Sequence, residues 1–210
     1  MPPKHKTEQE KSQTRTAILN AARDLFVARG VEAVTMREIA RQVNYSPTAL
    51  YLHFADKETL LKELCSTDFL ALADGVHAIM QIDDPVERLN VMGRSYAEFA
   101  LNHPNHYRLL FMTPQIPCDA KDGLVEKGNP DQDTYAMLMT MVNLAYEAGC
   151  FREELKEPSL IAQTLWAGMH GVCALEIAKQ GDPWVDWQPV LTRILMMQDA
   201  LMRGLLRQPR

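Results

Sequence analysis

The chain has 210 residues, of which 47% are hydrophobic, so it can bury a sizeable core and is not expected to be intrinsically disordered. It contains no run of eighteen apolar residues, and its polar N-terminus lacks the apolar centre of a signal peptide. These two features exclude an evident membrane span and predict a cytoplasmic protein. The four cysteines, Cys65, Cys118, Cys150 and Cys173, form no C-x-x-C pair, which favours reduced thiols over a disulfide or zinc framework.

The net charge of −5 is unevenly distributed along the chain. Residues 1–62 carry ten Lys and Arg against seven Asp and Glu, a net charge of +3. Residues 63–210 carry twelve against twenty, a net charge of −8. A basic N-terminal part joined to an acidic body is compatible with local contact to nucleic-acid phosphates.

The first predicted element follows a polar, flexible tail at residues 1–12. From Gln13 to Arg29, apolar pairs recur at helical spacing, as in Ala21/Ala22 and Leu25/Phe26. Gly30 is suited to end this helix.

Residues 35–54 predict two short helices joined by a tight turn. Thr35 can cap the first helix, whose apolar face is formed by Met36, Ile39, Ala40 and Val43. Asn44 follows, and asparagine enters the left-handed backbone region at low cost.

The second of these helices is expected to begin with Ser46 as its cap and Pro47 in its first turn. Leu50 and Phe54 are four residues apart and point inward. The side chains left largely outward are Thr48, Tyr51, Leu52 and His53. A helix with exposed polar and aromatic side chains, braced by another, is the unit that enters the DNA major groove.

From about Gln13 to Leu72 the chain resembles the N-terminal domain of the tetracycline-repressor (TetR) family. The resemblance rests on ordered motifs: A-x-x-L-F, G-x-x-x-x-T-x-x-x-I-A, L-Y-x-H-F and D-K-E-x-L. It departs from the family pattern at Asn44 and Tyr45, where Gly-Val is usual, and at Leu52, where many members carry a polar residue or a larger ring. The resemblance implies a helix-turn-helix DNA-binding domain at 13–72 and a helical ligand-binding and dimerisation domain at 73–210.

The remainder of the chain is predicted to be helical, which makes the fold all-α. Asp56 caps a fourth helix, and Asp83-Asp84-Pro85 interrupts the chain after it. Residues 113–130 are rich in Pro and Gly and are predicted to form a mobile loop. The predicted helices are 56–80, 85–101, 103–111, 131–148, 158–179 and 188–207.

A second resemblance concerns the C-terminal region. Trp166, His170 and Gly171 have the W-x-x-x-H-G spacing of the WHG-containing subtype of TetR-type C-terminal domains, and residues 103–111 also suit that subtype. This resemblance implies a ligand-binding and dimerising helical domain. The long helices 158–179 and 188–207 are expected to pack against those of a second copy. The expected contacts are small residues on the first, Ala167, Gly168, Gly171, Ala174 and Ala178, and positions on the second such as Leu191, Ile194, Leu195, Ala200, Leu201 and Leu205.

Arg37 is the strongest candidate for reading a base, because arginine matches the O6/N7 pair of guanine; the alternative is a solvated helix arginine. Pro47 and Thr48 open the recognition helix, where contacts to base edges concentrate. The resemblance implies phosphate contacts for Tyr51 and His53. Thr35, Ser46 and Lys57 complete the predicted DNA-binding set, Lys57 because it opens the fourth helix.

Effector binding is predicted from apolar and aromatic residues on the later helices, since methionine-rich linings adapt to varied hydrophobic ligands. The same residues can equally form a core without a ligand, and His170 can be a hydrogen-bonded core residue. The set comprises Tyr96, Phe99, Tyr107, Phe111, Met137, Met141, Trp166, Met169, His170 and Cys173.

No catalytic, metal or cofactor motif is apparent. His103 and His106 have a metal-like spacing but no accompanying carboxylate motif, and no phosphate-binding or nucleophile signature occurs. We therefore predict a dimeric DNA-binding regulator that acts as a repressor, the usual role in the family that it resembles. It is expected to leave a palindromic operator when a small apolar effector binds. A transcriptional activator and a helical small-molecule-binding enzyme remain the alternatives. Cys118, in the predicted loop, is the candidate for a reactive, redox-sensing thiol; the alternative is an ordinary loop thiol.

Overall fold

The computed structural model of the protein describes residues 7–74, 77–113 and 125–207. Helices dominate these ranges, and their extended pairing is limited to one isolated antiparallel bridge between Phe151 and Leu206, so the all-α prediction is confirmed. The helices are α1 (Glu8–Arg29), α2 (Met36–Gln42), α3 (Pro47–Tyr51), α4 (Lys57–Asp74), α5 (Pro85–Asn102), α6 (Pro104–Tyr107), α7 (Thr134–Glu147), α8 (Pro158–Lys179) and α9 (Val190–Leu205).

The chain divides into two compact units. The first contains the chain up to Asp68 and the segment that begins at Arg108. The second contains Phe69–Tyr107 and the chain from Val125 onward. The division falls within α4, four residues before the predicted domain boundary, because the inward side chains of α4 up to Asp68 pack with α1.

Helix α1 begins five residues earlier than the sequence predicts, so residues 8–12 do not belong to a flexible tail. Thr7 and Glu10 form a reciprocal capping box, in which the Thr7 N–H donates to the Glu10 carboxylate at 2.7 Å and the Glu10 N–H donates to the Thr7 hydroxyl at 3.2 Å. Such a box satisfies two backbone donors that a helix start leaves open. The rest of the predicted tail lies outside the described residues.

The first unit is held by one apolar core and two ion pairs between α1 and α4. The core is contributed by α1, α2, α3, α4 and Leu109. Arg23 binds Asp68 in a bidentate pair at 2.9 and 2.5 Å, with both side chains buried. Arg15 pairs with Glu63, stacks over Phe54 and donates to the His53 carbonyl oxygen at 2.6 Å. These contacts fix α4 to α1 and to the end of α3.

Three predicted elements have other bounds in the structure: the helices predicted at 56–80, 103–111 and 131–148. α4 stops at Asp74 and a 3₁₀ turn follows at His77–Gln81, whereas one helix to about residue 80 was predicted. The helix that starts at Pro104 changes to π-type winding over Arg108–Met112. α7 begins at Thr134 because the Asp133 carboxylate accepts the N–H groups of Tyr135 and Ala136. Residues 114–124 of the predicted loop, including Cys118, lie outside the described residues.

The second unit is a bundle of α5, α7, α8 and α9 around an apolar core that includes Met137 and Met141. By length and composition alone α8 could cross a membrane, but core helices of soluble proteins meet the same criterion, so this is weak evidence. Its Gly168 faces Leu201 of α9 in the same chain. Ile194 and Leu205 are buried in the unit's own interior. These three positions therefore serve packing within one copy, contrary to the expectation that they contact a second one.

Candidate DNA-binding and effector sites

The start of α2 is fixed by a capping box between Thr35 and Glu38. The Thr35 hydroxyl donates to the Glu38 carboxylate at 2.8 Å, and the Glu38 N–H donates to that hydroxyl at 3.3 Å. Arg29 donates to the same carboxylate at 2.8 Å. The hydrogen bond from Arg29, followed by those from Thr35, lowers the pKa of Glu38 to about 2. The hydroxyl of Thr35, a predicted DNA contact, is thus engaged in holding α2.

The turn between α2 and α3 has the predicted left-handed residue, since Asn44 has φ 57°. Tyr45 anchors this turn in two ways. Its N–H donates to the Ala40 carbonyl oxygen at 2.8 Å, and its hydroxyl lies 3.3 Å from that of Thr14 on α1. The Asn44-Tyr45 departure from the family pattern therefore provides a turn conformation and a link to α1.

Helix α3 presents one face to the core and another to solvent. The Ser46 hydroxyl accepts the Ala49 N–H at 3.1 Å, and Pro47 occupies the first turn, as predicted. Leu50 and Phe54 are buried. The exposed side chains are Ser46, Pro47, Thr48, Tyr51 and Leu52, with Tyr51 50% and Leu52 84% exposed. Arg37 on α2 is also exposed.

His53 and Lys57 are less open than the other predicted DNA contacts. Both are half-buried. The Lys57 ammonium donates to the carbonyl oxygens of Val31 at 3.0 Å and Val34 at 3.3 Å. It therefore ties the start of α4 to the connection between α1 and α2, a structural role that its position in the sequence does not reveal.

In the second unit, four of the predicted effector residues form a chain of hydrogen bonds. The Trp166 indole N–H donates to the Tyr96 hydroxyl at 3.1 Å, and Tyr96 donates to the Tyr107 hydroxyl at 3.0 Å. The Tyr107 hydroxyl lies 2.5 Å from Nδ1 of His170, and the two rings are stacked. This geometry suits a neutral imidazole that accepts at Nδ1.

Burial keeps this hydrogen-bond chain uncharged at neutral pH. Desolvation raises the pKa of Tyr96 to about 12, and it also raises the pKa of Tyr107. Desolvation also lowers the pKa of His170 below its ordinary value. Beside them, burial raises the pKa of the Cys173 thiol to about 11. The cluster is therefore a neutral set of donors and acceptors at pH 7.

The other predicted effector residues divide between the two units. Phe99, Met137, Met141, Met169 and Cys173 are buried in the second unit. Phe111 lies in the π-type segment Arg108–Met112, which groups with the first unit. Phe111 is thus not part of the unit that holds the hydrogen-bond chain.

The described residues include no group of three or more His, Cys, Asp or Glu side chains arranged to hold a metal ion. The rings of His103 and His106 lie 5.1 Å apart and both contact Phe99. Their spacing therefore produces an aromatic cluster in this structure.

A braced helix-turn-helix with exposed polar side chains, followed by a helical bundle, defines a DNA-binding transcriptional regulator with a separate helical unit. Residues 18–64 match the family "Bacterial regulatory proteins, tetR family", and residues 89–196 match "Tetracyclin repressor-like, C-terminal domain". The chain belongs to the TetR family. Members of this family are regulators and not enzymes, which removes the enzyme alternative; the WHG subtype remains a prediction.

Curated relatives match part of the chain. The HTH-type transcriptional regulator UidR of Escherichia coli is 35% identical over 81 residues, which cover 39% of this chain and 38% of that protein. The HTH-type transcriptional activator FasR of Mycolicibacterium smegmatis is 30% identical over 117 residues, 53% of each chain. A TetR family transcription regulator from Marinobacter aquaeolei superposes with a TM-score of 0.74 at 16% identity, over 96% of this chain and 100% of that one, which shows the fold.

Proposed function

We propose that the protein is a homodimeric, cytoplasmic repressor that binds a palindromic operator in double-stranded DNA and leaves it when a small apolar molecule binds the second unit. The observation that carries the DNA-binding part is the exposed face formed by Arg37, Thr48 and Tyr51 on the helix-turn-helix. The net charge of +3 over residues 1–62 supports attraction to phosphates.

Within this proposal one set of side chains reads the bases and a second set contacts the phosphate backbone of the DNA. Arg37 contacts a guanine edge or a phosphate, and Pro47 and Thr48 contact base edges. The residues proposed to contact phosphates are Thr35, Ser46, Tyr51, His53 and Lys57. Because the side-chain polar groups of Thr35 and Lys57 already bind within the unit, their main contribution is to position the two short helices.

Binding measurements over a range of salt concentrations test the DNA contacts. We expect the affinity for a selected palindromic duplex to fall steeply with salt, because each phosphate contact releases counterions. Arg37→Ala should reduce the preference at one base pair by about 1–3 kcal/mol if Arg37 reads a base. Arg152→Ala is the matched control, since Arg152 is an exposed arginine in the second unit. Salt-independent binding, or equal affinities for wild type and Arg37→Ala on all duplexes, contradicts the proposal.

The proposed direction of regulation is repression, with activation as the alternative. A repressor is the commoner outcome in this family, whereas the relative FasR is named an activator. A reporter placed behind the selected operator distinguishes them, because deleting the regulator raises expression under a repressor and lowers it under an activator.

The effector part of the proposal rests on the hydrogen-bond chain that joins the buried Tyr96 and Tyr107 to the half-buried His170 amid apolar residues. An apolar ligand gains affinity from buried area and its orientation from a few polar groups. α4 supports the coupling, since its residues up to Asp68 group with the first unit and the later ones with the second. A ligand that prefers the non-binding conformer by several kcal/mol shifts the population away from the operator.

Thermal-shift measurements with a neutral long-chain alcohol, a lipophilic cation and inorganic polyphosphate test the class of effector. We expect the alcohol to raise the melting temperature and to release the operator. If only polyphosphate did both, the apolar effector proposal would be wrong. If none of the three changed stability or DNA binding, the buried residues would be a core without a ligand.

The homodimer proposal rests on a stripe formed by small residues of α8 and exposed apolar residues of α9. On α8 the small residues Ala167, Gly171, Ala174 and Ala178 recur at helical spacing. On α9, Leu191, Leu195 and Met196 are exposed large apolar side chains. Packing two such stripes around a two-fold axis forms a four-helix interface, and two-fold symmetry matches a palindromic operator.

A further inference from the structure

Leu52 is an apolar side chain that lies outside the core of the first unit. It is 84% exposed, whereas Leu50, Leu60 and Leu64 are fully buried in the same unit. Among the described residues of the first unit it is the one leucine that the fold leaves largely exposed. Burying such a side chain on a partner is favourable, so a contact made by this face of the recognition helix can use it.

The direction of Leu52 follows from helix geometry. It is the C-cap of α3, with helical backbone angles of φ −70° and ψ −20°. Residues three and four apart share a helix face, so Thr48, Tyr51 and Leu52 lie on one side, opposite Leu50 and Phe54. Both Thr48 and Tyr51 are exposed. Leu52 therefore extends the same exposed face that carries the proposed DNA contacts.

The major groove offers one apolar group to such a side chain. Base edges there present hydrogen-bond donors and acceptors, and the 5-methyl group of thymine is the exception. A leucine neither donates nor accepts a hydrogen bond, so it gains nothing from guanine, cytosine or adenine edges and leaves their polar atoms unpaired.

We propose that Leu52 contacts a thymine 5-methyl group in each operator half-site and thereby selects thymine at that position. This inference rests on the proposed operator binding. It goes beyond that proposal by assigning an apolar, sequence-selective contact to a residue outside the predicted DNA-binding set. Because the contact involves no charge, the thymine preference should persist at high salt while the overall affinity falls.

A thermodynamic cycle between Leu52 and single methyl groups tests the contact. A duplex is first selected from a random pool with the wild-type protein. Each symmetric pair of thymines is then replaced by deoxyuridine, which removes only the methyl group. Affinities are measured for the wild type and for Leu52→Ala, Leu52→Met and, as an exposed leucine of the second unit, Leu144→Ala.

We expect one symmetric thymine pair at which deoxyuridine weakens wild-type binding about fifteenfold, which is about fourfold per buried methyl group in each of two half-sites. At that pair Leu52→Ala should lose less than about twofold on the same replacement, because the contact is already gone. Leu52→Met should retain the thymine preference, and Leu144→Ala should behave as wild type.

Three outcomes would overturn the inference. Equal deoxyuridine effects in wild type and Leu52→Ala would show that another group reads the methyl. Weak binding by Leu52→Ala with no methyl-sensitive pair in the wild type would assign Leu52 to the sugar-phosphate backbone. Unchanged binding by Leu52→Ala would leave Leu52 without a DNA contact. Failure to select any duplex would contradict operator binding itself, whereas the three outcomes above contradict only the role of Leu52, so the two failures are distinguishable.

Discussion

At the scale of single residues, the carboxylate of Glu38 connects the end of α1 to the start of α2. It accepts from Arg29 and from both the N–H and the hydroxyl of Thr35. These bonds lower its pKa from 4.5 in the unfolded chain to about 2. Its contribution to stability is therefore present above pH 4.5 and is lost as the pH falls from about 4.5 through about 2.

A comparison of wild type with Glu38→Gln tests this pH dependence. The difference in the free energy of unfolding, measured by urea titration, should be constant above about pH 5 and shrink as the pH falls toward 2. Arg29→Ala should raise the pKa of Glu38 toward its ordinary value in a carbon-13 NMR titration, since Arg29 is the largest cause of the shift. A difference that stays constant from pH 5 to pH 2 contradicts the assignment.

The Tyr107 hydroxyl is the central link of the buried hydrogen-bond chain. Tyr107→Phe removes the acceptor of Tyr96 and the donor to His170. We expect the free energy of unfolding to fall by about 1–2 kcal/mol, because buried polar groups lose partners. Tyr96 lies 3.2 Å from the same imidazole nitrogen and can replace part of the loss, which keeps the cost low.

Tyr135→Phe is the matched control for Tyr107→Phe. Tyr135 is exposed, and its hydroxyl accepts from Gln163 at 3.3 Å. Its loss should change the free energy of unfolding by less than about 0.5 kcal/mol. Equal unfolding midpoints for the two variants would mean that the Tyr107 hydroxyl contributes nothing to the unit.

At the scale of elements, local cues predicted most of the fold. The caps at Thr35 and Ser46, the left-handed Asn44 and the position of Pro47 are neighbours in the sequence and act on the nearest turn, so they could be recognised without a structure. The early start of α1 depends on a similar capping box, between Thr7 and Glu10. The prediction missed it because residues 8–12 are polar and have the composition of a flexible tail. For α4 a local stop signal was passed over, since Gly75 directly follows Asp74 in the sequence while the hydrophobic pattern extended the prediction further.

The contact between α8 and α9 gives the element-scale prediction. A Cβ on Gly168 would lie 2.6 Å from Cδ1 and 3.3 Å from Cγ of Leu201. Because Cγ is also close, turning the end of the leucine is not enough, and the whole side chain must shift. Gly168→Ala should therefore lower the free energy of unfolding by about 1–3 kcal/mol, partly offset by the better helix propensity of alanine.

Three further variants isolate the steric cause at Gly168. Nothing lies within 4 Å of a Cβ built on Gly204 of α9, so Gly204→Ala should stabilise the protein by up to about 1 kcal/mol. In a Leu201→Ala background, Gly168→Ala should no longer destabilise. Urea unfolding of the wild type, Gly168→Ala, Leu201→Ala and the double variant closes the cycle. If Gly168→Ala still lowers the free energy of unfolding without the Leu201 side chain, this contact is not the cause.

At the scale of the whole molecule, sequence reasoning identified the sites less completely than the helices. Exposure of Arg37, Thr48 and Tyr51 follows from helical periodicity and was predictable. The bond from Lys57 to the Val31 carbonyl oxygen spans 26 residues, and that from Trp166 to Tyr96 spans 70. Such contacts depend on how helices pack, which composition and spacing do not encode locally.

The proposed assembly of two copies yields the last prediction. Leu195 on α9 is 58% exposed within the proposed stripe, so a glutamate there would place a charge in an apolar interface without disturbing the core of one copy. Light scattering at micromolar concentration should give twice the chain mass of 23.8 kDa for the wild type and the single mass for Leu195→Glu. Leu144→Glu, at an exposed leucine on α7, should keep the double mass.

The circular dichroism of Leu195→Glu should be unchanged, and its operator binding should weaken steeply because a palindrome needs both copies. A monomeric wild type, or a dimeric Leu195→Glu, would remove α9 from the interface.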